Sequence, residues 1–283
     1  MGMIFRMKKI SCFAALLLSF SQTFSQTSEA PFLVVLGIAQ DAGFPQAGCE
    51  AACCASAWRD PARKRKVTAL AVVDPQTSER WLLEATPDLP EQLRALNEIA
   101  PTTDAAIFSG IFLTHAHIGH YTGLMHLGRE AMGAKEIPVY AMPRMQTFLN
   151  TNGPWDQLVR LRNITLRALR SDSTIVLNAR LRVTPFLVPH RDEYSETVGF
   201  RISGPRRSVL FIPDLDKWEK WDRRIEDELA QVDAAYLDGT FHAEGEIPGR
   251  NMAEIPHPFI VESLARWQRL AQKEKAKIRF IHF

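Results

Sequence analysis

Three of the eight histidines in this 283-residue chain fall within six positions, in Thr114-His115-Ala116-His117-Ile118-Gly119-His120. Imidazole is the commonest neutral metal ligand, and His-x-His in an extended turn points both rings at one cation. Histidines serving as ordinary core residues would be scattered singly, so the clustering itself reads as a metal site. A catalytic zinc takes three protein ligands and keeps a fourth position open for water. His115 and His117 supply two, and His190, following the run Val183-Thr-Pro-Phe-Leu-Val-Pro189, is the best third. His120 faces a neighbouring position. Asp214, in Phe211-Ile-Pro-Asp214, adds a carboxylate able to bridge two metals.

Such a cation lowers the pKa of its water from about 15.7 toward about 7 and polarises a carbonyl or phosphoryl oxygen. The chemistry implied is hydrolysis of an ester, amide, thioester or phosphodiester bond in a small molecule by metal-bound hydroxide, with Asp214 orienting it. The expected cofactor is zinc, one ion or two, and the same imidazole-rich site accepts iron or manganese. His257, in Ile255-Pro-His257-Pro, is a candidate proton donor to the leaving group, and His242 a weaker one. His126 reads as structural. Asp88 either supports a ligand histidine or caps a helix starting at Leu89.

A second group of soft ligands lies upstream. Cys49, Cys53 and Cys54 share one short loop. A disulfide of Cys49 with Cys53 or Cys54, a structural zinc recruiting a fourth ligand, and inert buried thiols are the open readings.

The elements that must position these residues alternate along the chain. Strands are expected at Phe32–Ile38, Thr68–Val73, Trp81–Glu84, Ile111–Thr114, Val139–Ala141, Leu181–Val188, Val198–Ile202, Val209–Ile212, Ala234–Leu237 and Ile278–Phe283. Helical spacing appears at Gly123–Met132, Met142–Leu149, Trp218–Leu229 and Phe259–Gln272. Strands separated by helices along the whole length favour one α/β domain with sheets covered by helices. The chemistry-bearing residues then sit in loops at strand ends.

Composition agrees with a globular domain. Hydrophobic residues are 46% and charged residues 23%, which excludes a disordered chain, a collagen-like fibre and a multi-span membrane protein. Arg6, Lys8 and Lys9 lie in a first stretch without acids, so the remainder of the chain has no basic excess and nucleic acid is not an expected partner. Those basic residues precede the apolar run Ile10–Phe20 and the polar Ser21–Gln26, the order of a secretory signal peptide. The apolar run is too short for a permanent membrane span. Residues 1–25 are therefore expected to be a signal peptide and 27–283 an exported domain, periplasmic or secreted, with no stable membrane span after cleavage.

His-x-His-x-x-His after a strand, then His190, then Asp214, resembles the metallo-β-lactamase superfamily. That resemblance implies an αββα sandwich with a metal site at one edge. The segments Leu36-Gly-Ile-Ala-Gln-Asp-Ala-Gly-Phe-Pro-Gln46 with Cys49, Ala85-Thr-Pro-Asp88 and Asp238-Gly239-Thr240 are similar to the pyrroloquinoline-quinone biosynthesis B family. The Gly-Phe-Pro-Gln and cysteine loop also resembles the cyclic phosphodiesterase of the phosphonate pathway. By this likeness His115, His117 and His190 hold the first metal, His120 the second, and Asp214 bridges. Two departures stand out. The superfamily places an Asp immediately before the third histidine, where this chain has Gly119, so the second site is expected to be weakened. The family's last histidine follows the final strand; His282 lies in that strand and is one candidate for it, while the stronger expectation is that the ligand falls beyond Phe283. Two alternatives accompany the hydrolase reading: a metal-binding protein of the same fold without turnover, and an iron-dependent oxidative enzyme of the quinone-biosynthesis type.

Overall fold

A computed structural model describes residues 30–102 and 107–283. The expected signal peptide lies outside the described residues. Twelve strands within them form two six-stranded sheets. The first holds β1 (Phe32–Gly37), β2 (Ala69–Asp74), β3 (Glu79–Leu83), β4 (Gly110–Phe112), β5 (Ile137–Ala141) and β6 (Ile164–Ala168) in chain order. Its β1–β2 and β2–β3 pairs are antiparallel, and β3 to β6 run parallel. The second runs from β7 (Ile175–Val176) through β8 (Arg182–Leu187), β9 (Val198–Ser203), β10 (Ser208–Ile212) and β11 (Ala234–Asp238) to β12 (Ile278–Ile281). There β7 to β10 are antiparallel and β10 to β12 parallel.

Parallel neighbours need a crossover, which is where helices belong. After α1 (Ala52–Arg59), beyond the Cys49 loop, α2 (Leu89–Ile99) links β3 to β4. The turn α3 (Ile118–Tyr121) follows the first histidines, and α4 (Pro143–Thr151) and α5 (Trp155–Arg160) link β5 to β6. On the second sheet α6 (Ile225–Ala230) joins β10 to β11, and α7 (Ile260–Arg266) with α8 (Gln272–Lys275) joins β11 to β12. Helix α2 buries Leu89, Leu93 and Leu96, the i, i+4, i+7 stripe of an amphipathic helix.

Apolar packing falls into three main layers. Leu70, Val72, Trp81, Leu83 and Phe112 of the first sheet meet Val183, Val198, Phe200, Phe211 and Ile281 of the second. Phe112 stacks on Tyr140 at 4.3 Å between centroids and meets Phe200 edge-on at 5.7 Å. Outside the first sheet, Leu36, Ala71, Leu82, Ile111 and Val139 pack on Leu93, Leu96, Met145, Leu149 and Leu158. Beyond the second, Leu210, Ile212, Ala235 and Leu237 pack on Trp218, Trp221, Ile225, Leu229 and Trp267. This is the expected αββα sandwich. Strand β2 is buried along its whole length, because both faces of the first sheet are covered.

Three expected helices are broken up. Trp218–Leu229 becomes a 3-10 turn at Trp218–Lys220 and then α6. Each tryptophan finds its own buried acceptor, Trp218 Nε1 donating to Ser263 Oγ and Trp221 Nε1 to the Leu187 carbonyl, both at 2.8 Å. Gly123–Met132 is a 3-10 segment at Thr122–Leu127, and Phe259–Gln272 divides into α7, a 3-10 turn at Trp267–Arg269 and α8. Strands β6 and β7 and helices α1, α3 and α5 have no counterpart among the expected elements, and α2 is anticipated only as the helix starting at Leu89 that Asp88 would cap.

The inter-sheet layer should dominate stability. Phe200→Ala, at a fully buried position, is expected to lose about 3–5 kcal/mol in equilibrium urea unfolding. Val261→Ala, on the exposed face of α7, should change stability by no more than about 0.5 kcal/mol. A loss below about 1 kcal/mol for Phe200→Ala would contradict this account of the core.

Candidate metal centre

The carboxyl ends of β4, β10, β11 and β12 converge, the usual ligand-bearing edge of parallel strands. Past β4 the chain is clamped to both sheets. Thr114 accepts from the Val198 N–H at 3.1 Å, and the Ala116 N–H donates to Ser195 Oγ at 2.8 Å. On its other side the turn lies against the end of β3, with the Gly123 N–H donating to the Ala85 carbonyl at 2.8 Å. A Cβ at 123 would sit 2.0 Å from the Thr86 carbonyl oxygen, so this close approach requires glycine.

The clamp brings His115 Nε2 within 2.8 Å of His117 Nδ1. The His190 ring lies 5.2 and 5.0 Å, centroid to centroid, from those of His115 and His117. These three residues form one group of mutually close potential ligand atoms. The remaining ring nitrogens of His115 and His117 are held in ways typical of metal-ligating histidines. His115 Nδ1 meets Thr114 Oγ1 at 2.9 Å, and His117 Nε2 lies 3.3 Å from Glu193 Oε2. Both nitrogens of His190 are buried without a hydrogen-bond partner.

Asp41, His120, Asp214 and His282 form the adjoining group. His120 Nε2 lies 2.8 Å from Asp214 Oδ2 and 3.0 Å from Asp41 Oδ1. His282 lies 3.4 Å from each carboxylate, through Nε2 to Asp41 and Nδ1 to Asp214. Asp214 Oδ2 also lies 3.6 Å from His115 Nε2, which puts this carboxylate between the two groups. Yet His120 Nε2 and Asp214 Oδ2 lack the angles of a hydrogen bond and are orphaned in the interior. Native structures leave few such atoms, and their convergence fits a shared cation. The position expected to lack a carboxylate thus has Asp41 beside it, and His282 stands within the cluster, where the missing family histidine was expected beyond Phe283.

Electrostatics suit the same purpose. Burial pushes the His115 pKa well below its ordinary value, lowers that of His117, and takes His190 down to about 4. All three are therefore neutral near pH 7, with lone pairs to donate. His120 is the opposite case: burial works against its charge, but Asp214, Glu84 and Asp41 together raise its pKa well above the usual value. Asp214 and Asp41 stay ionised despite burial, Asp214 through the nearby His282 and His120 and Asp41 through the nearby His120 and His282. Without a metal, a proton on His120 offsets carboxylate charge, and a cation entering the site would displace it. Glu84 Oε1 lies 3.6 Å from His120 Nδ1, behind that ring, and neither atom has a hydrogen-bond partner. Glu84 and His282 both hold left-handed backbone, at φ 83° and 64°, a conformation unusual for side-chain-bearing residues and often found at functional sites.

Asp238 organises the mouth of the site. One of its oxygens lies 2.7 Å from His257 Nδ1 and accepts the Leu215 N–H at 3.0 Å. The other accepts from the N–H and hydroxyl of Thr240, whose hydroxyl also meets His282 Nδ1 at 2.8 Å. Burial alone would lower the His257 pKa, but the Asp238 charge and hydrogen bond outweigh it and push it up to about 8. His117, His190, Asp214 and His257 line a cleft of about 730 Å³, with Arg191, Phe241 and Arg250 among the other lining residues.

Other candidates sort differently. His242 belongs to no group of close potential ligands among the described residues, and its N–H bonds to Glu246. His126 lines a separate groove beside α2. Asp88 neither caps α2 with its side chain nor reaches a histidine; it accepts the Val67 N–H at 2.8 Å. Cys49 and Cys54 are joined as a disulfide and Cys53 is free, all three on the wall of the same cleft. Asp41, Glu84 and Asp238 were not recognised from spacing. Asp41 and Asp238 do lie in the segments that carried the family resemblance, which was the available signal.

The chain is 28% identical over 229 residues to the coenzyme PQQ synthesis protein B of Methylorubrum populi, covering 74% of this chain and 72% of that protein. It is 27% identical over 248 residues to the Cupriavidus necator protein of the same name, covering 79% of each. Its structure resembles zinc-bound PqqB from Methylobacterium extorquens with a TM-score of 0.70 at 23% identity, covering 88% of both chains. A diphosphatase from the PhnP family gives 0.63 at 22% identity, covering 90% of this chain and 86% of that one. The β-lactamase superfamily domain model matches residues 79–283, and with that match the chain belongs to the β-lactamase superfamily, in its metallo-β-lactamase fold.

Proposed function

We propose that this chain is an exported metal-dependent hydrolase that cleaves an ester, amide or phosphodiester bond of a small molecule. The observation that carries the reading is the set of buried, unpartnered donors, both nitrogens of His190 and of His120 and Asp214 Oδ2, at an open cleft. These donors fit a divalent cation, and zinc is the ion in the PqqB structure of similar fold. A PhnP-family diphosphatase and human tRNase Z, short form, share the fold.

When bound, the metal supplies a Lewis acid that polarises the scissile bond and makes water nucleophilic at neutral pH. His115, His117 and His190 would hold the first ion, and Asp214, placed between the two groups, would be available to either position. Glu193 and Thr114 keep the His117 and His115 rings turned inward. Substrate enters by the cleft, and His257 donates a proton to the leaving group. Asp238 holds His257 at Nδ1, which leaves Nε2 for that transfer. Export is supported by the order of Arg6–Lys9, the apolar Ile10–Phe20 and the polar Ser21–Gln26.

Three tests follow. Hydrolysis of a panel of phosphodiesters, esters and lactams should drop at least about 100-fold in His117→Ala, with loss of metal, and zinc should restore activity to chelator-treated wild type. Equal rates in both proteins would end the hydrolase reading. His257→Gln should lower kcat by roughly 10²–10⁴-fold while metal content stays at the wild-type level. A drop in metal content would instead make His257 a ligand. Expressed with residues 1–25, the chain should be recovered shortened from the periplasm, and without them from the cytoplasm; full-length protein in the cytoplasm would refute export.

A further inference from the structure

Position 119 and Asp41 compete for one volume. A Cβ at Gly119 would lie 2.4 Å from Asp41 Oδ1, 2.8 Å from its Cγ and 2.5 Å from its Cα. The last contact is with backbone, so turning the Asp41 side chain away would not make room. The backbone around it is fastened on both sides. The Gln40 N–H donates to the Phe283 carbonyl at 2.8 Å, the Gly43 N–H to the Gln40 carbonyl at 2.8 Å, and Phe44 and Arg65 exchange N–H···O bonds at 2.9 and 2.8 Å. From that position Asp41 reaches the two imidazoles of the adjoining group, His120 and His282, as described above.

We propose that Asp41 is the transposed carboxylate ligand of the second metal position, and that glycine at 119 is the condition for its entry. A carboxylate beside His120 is thereby delivered from the loop after β1 rather than from the histidine turn. Asp41 and His282 arrive as a unit, since the Phe283 N–H donates to the Ile38 carbonyl at 2.9 Å while Gln40 bonds back to Phe283. The second position is then four-donor, with Asp41, His120, Asp214 and His282, a hard nitrogen and oxygen set suited to zinc, manganese or iron.

The assignment rests on the metal reading but not on hydrolysis, so metal counting tests it. Apo protein is titrated with zinc by calorimetry, and loaded, gel-filtered protein is measured by mass spectrometry. Asp41→Asn should hold one equivalent fewer than wild type, or bind the weaker equivalent at least roughly 10–100-fold less tightly. Gly119→Ala alone should show the same loss, because its Cβ displaces the Asp41 loop and brings no ligand in exchange. The exchange Asp41→Gly with Gly119→Asp should regain the full complement. Near-UV circular dichroism establishes that each protein is folded; if Asp41→Asn unfolds, Gly119→Ala carries the test with Asp41 intact. Wild-type stoichiometry and affinity in Asp41→Asn, or in Gly119→Ala, would overturn the proposal, as would a folded exchange variant that stays one ion short. A wild-type protein that binds both ions and hydrolyses nothing ends the hydrolase reading and leaves this assignment standing.

Discussion

Two carboxylates and several imidazoles are held in the interior closer together than they can be satisfied by one another. His120 and Asp214 are essentially inaccessible to water, and their facing atoms approach to 2.8 Å without the angles of a hydrogen bond. Each buried polar atom left without a partner costs about 1–3 kcal/mol, and a protein keeps such a cluster when something other than water fills it. The surrounding structure serves to hold those atoms in place.

The fold does this through its strand ends. Parallel strands of the second sheet deliver Asp214, Asp238 and His282 to one edge, and β4 of the first sheet delivers the histidine turn to the same place. The two sheets are registered by the aromatic layer of Trp81, Phe112, Tyr140 and Phe200. That packing is therefore a condition for the site: a slip between sheets would separate His115 from His190. Backbone contacts complete the frame, from the Val198 N–H on the Thr114 carbonyl to the Asp216 N–H on the Pro189 carbonyl at 2.6 Å. Around this frame a carboxylate stands behind several imidazoles: Glu84 behind His120, Glu193 behind His117, and Asp238 behind His257. Glu193 and Asp238 fix ring orientations that an isolated imidazole would not keep, and Glu84 adds negative charge behind His120.

Much of the architecture was legible because strands with a buried face leave a local trace. Nearly all the expected strands are found within a residue or two of their predicted bounds. Helices were read less well. Trp218–Leu229 has helical spacing, but its two indoles are drawn to different buried acceptors, and tertiary contacts override the local pattern. Helix α2 begins Leu-Pro, a local signal for a helix start, while its buried leucine stripe is only three residues long. Gly119 illustrates the same limit at the site. Read alone it is a missing ligand, and only the neighbouring loop shows what occupies the space.

From its order of residues alone, this chain declares a metal-binding histidine turn, the strands that precede His190 and Asp214, and the superfamily that combines them. Those features are local: a ligand pair two residues apart and an apolar run before each loop are set by short-range backbone geometry. Partners distant in the chain were decided by tertiary structure. Asp41 and His282 are 241 residues apart yet meet at 3.4 Å, because β1 and β12 lie at corresponding edges of the two sheets and their ends exchange backbone hydrogen bonds. No spacing rule links such residues, since the distance between them is fixed by how the sheets pack.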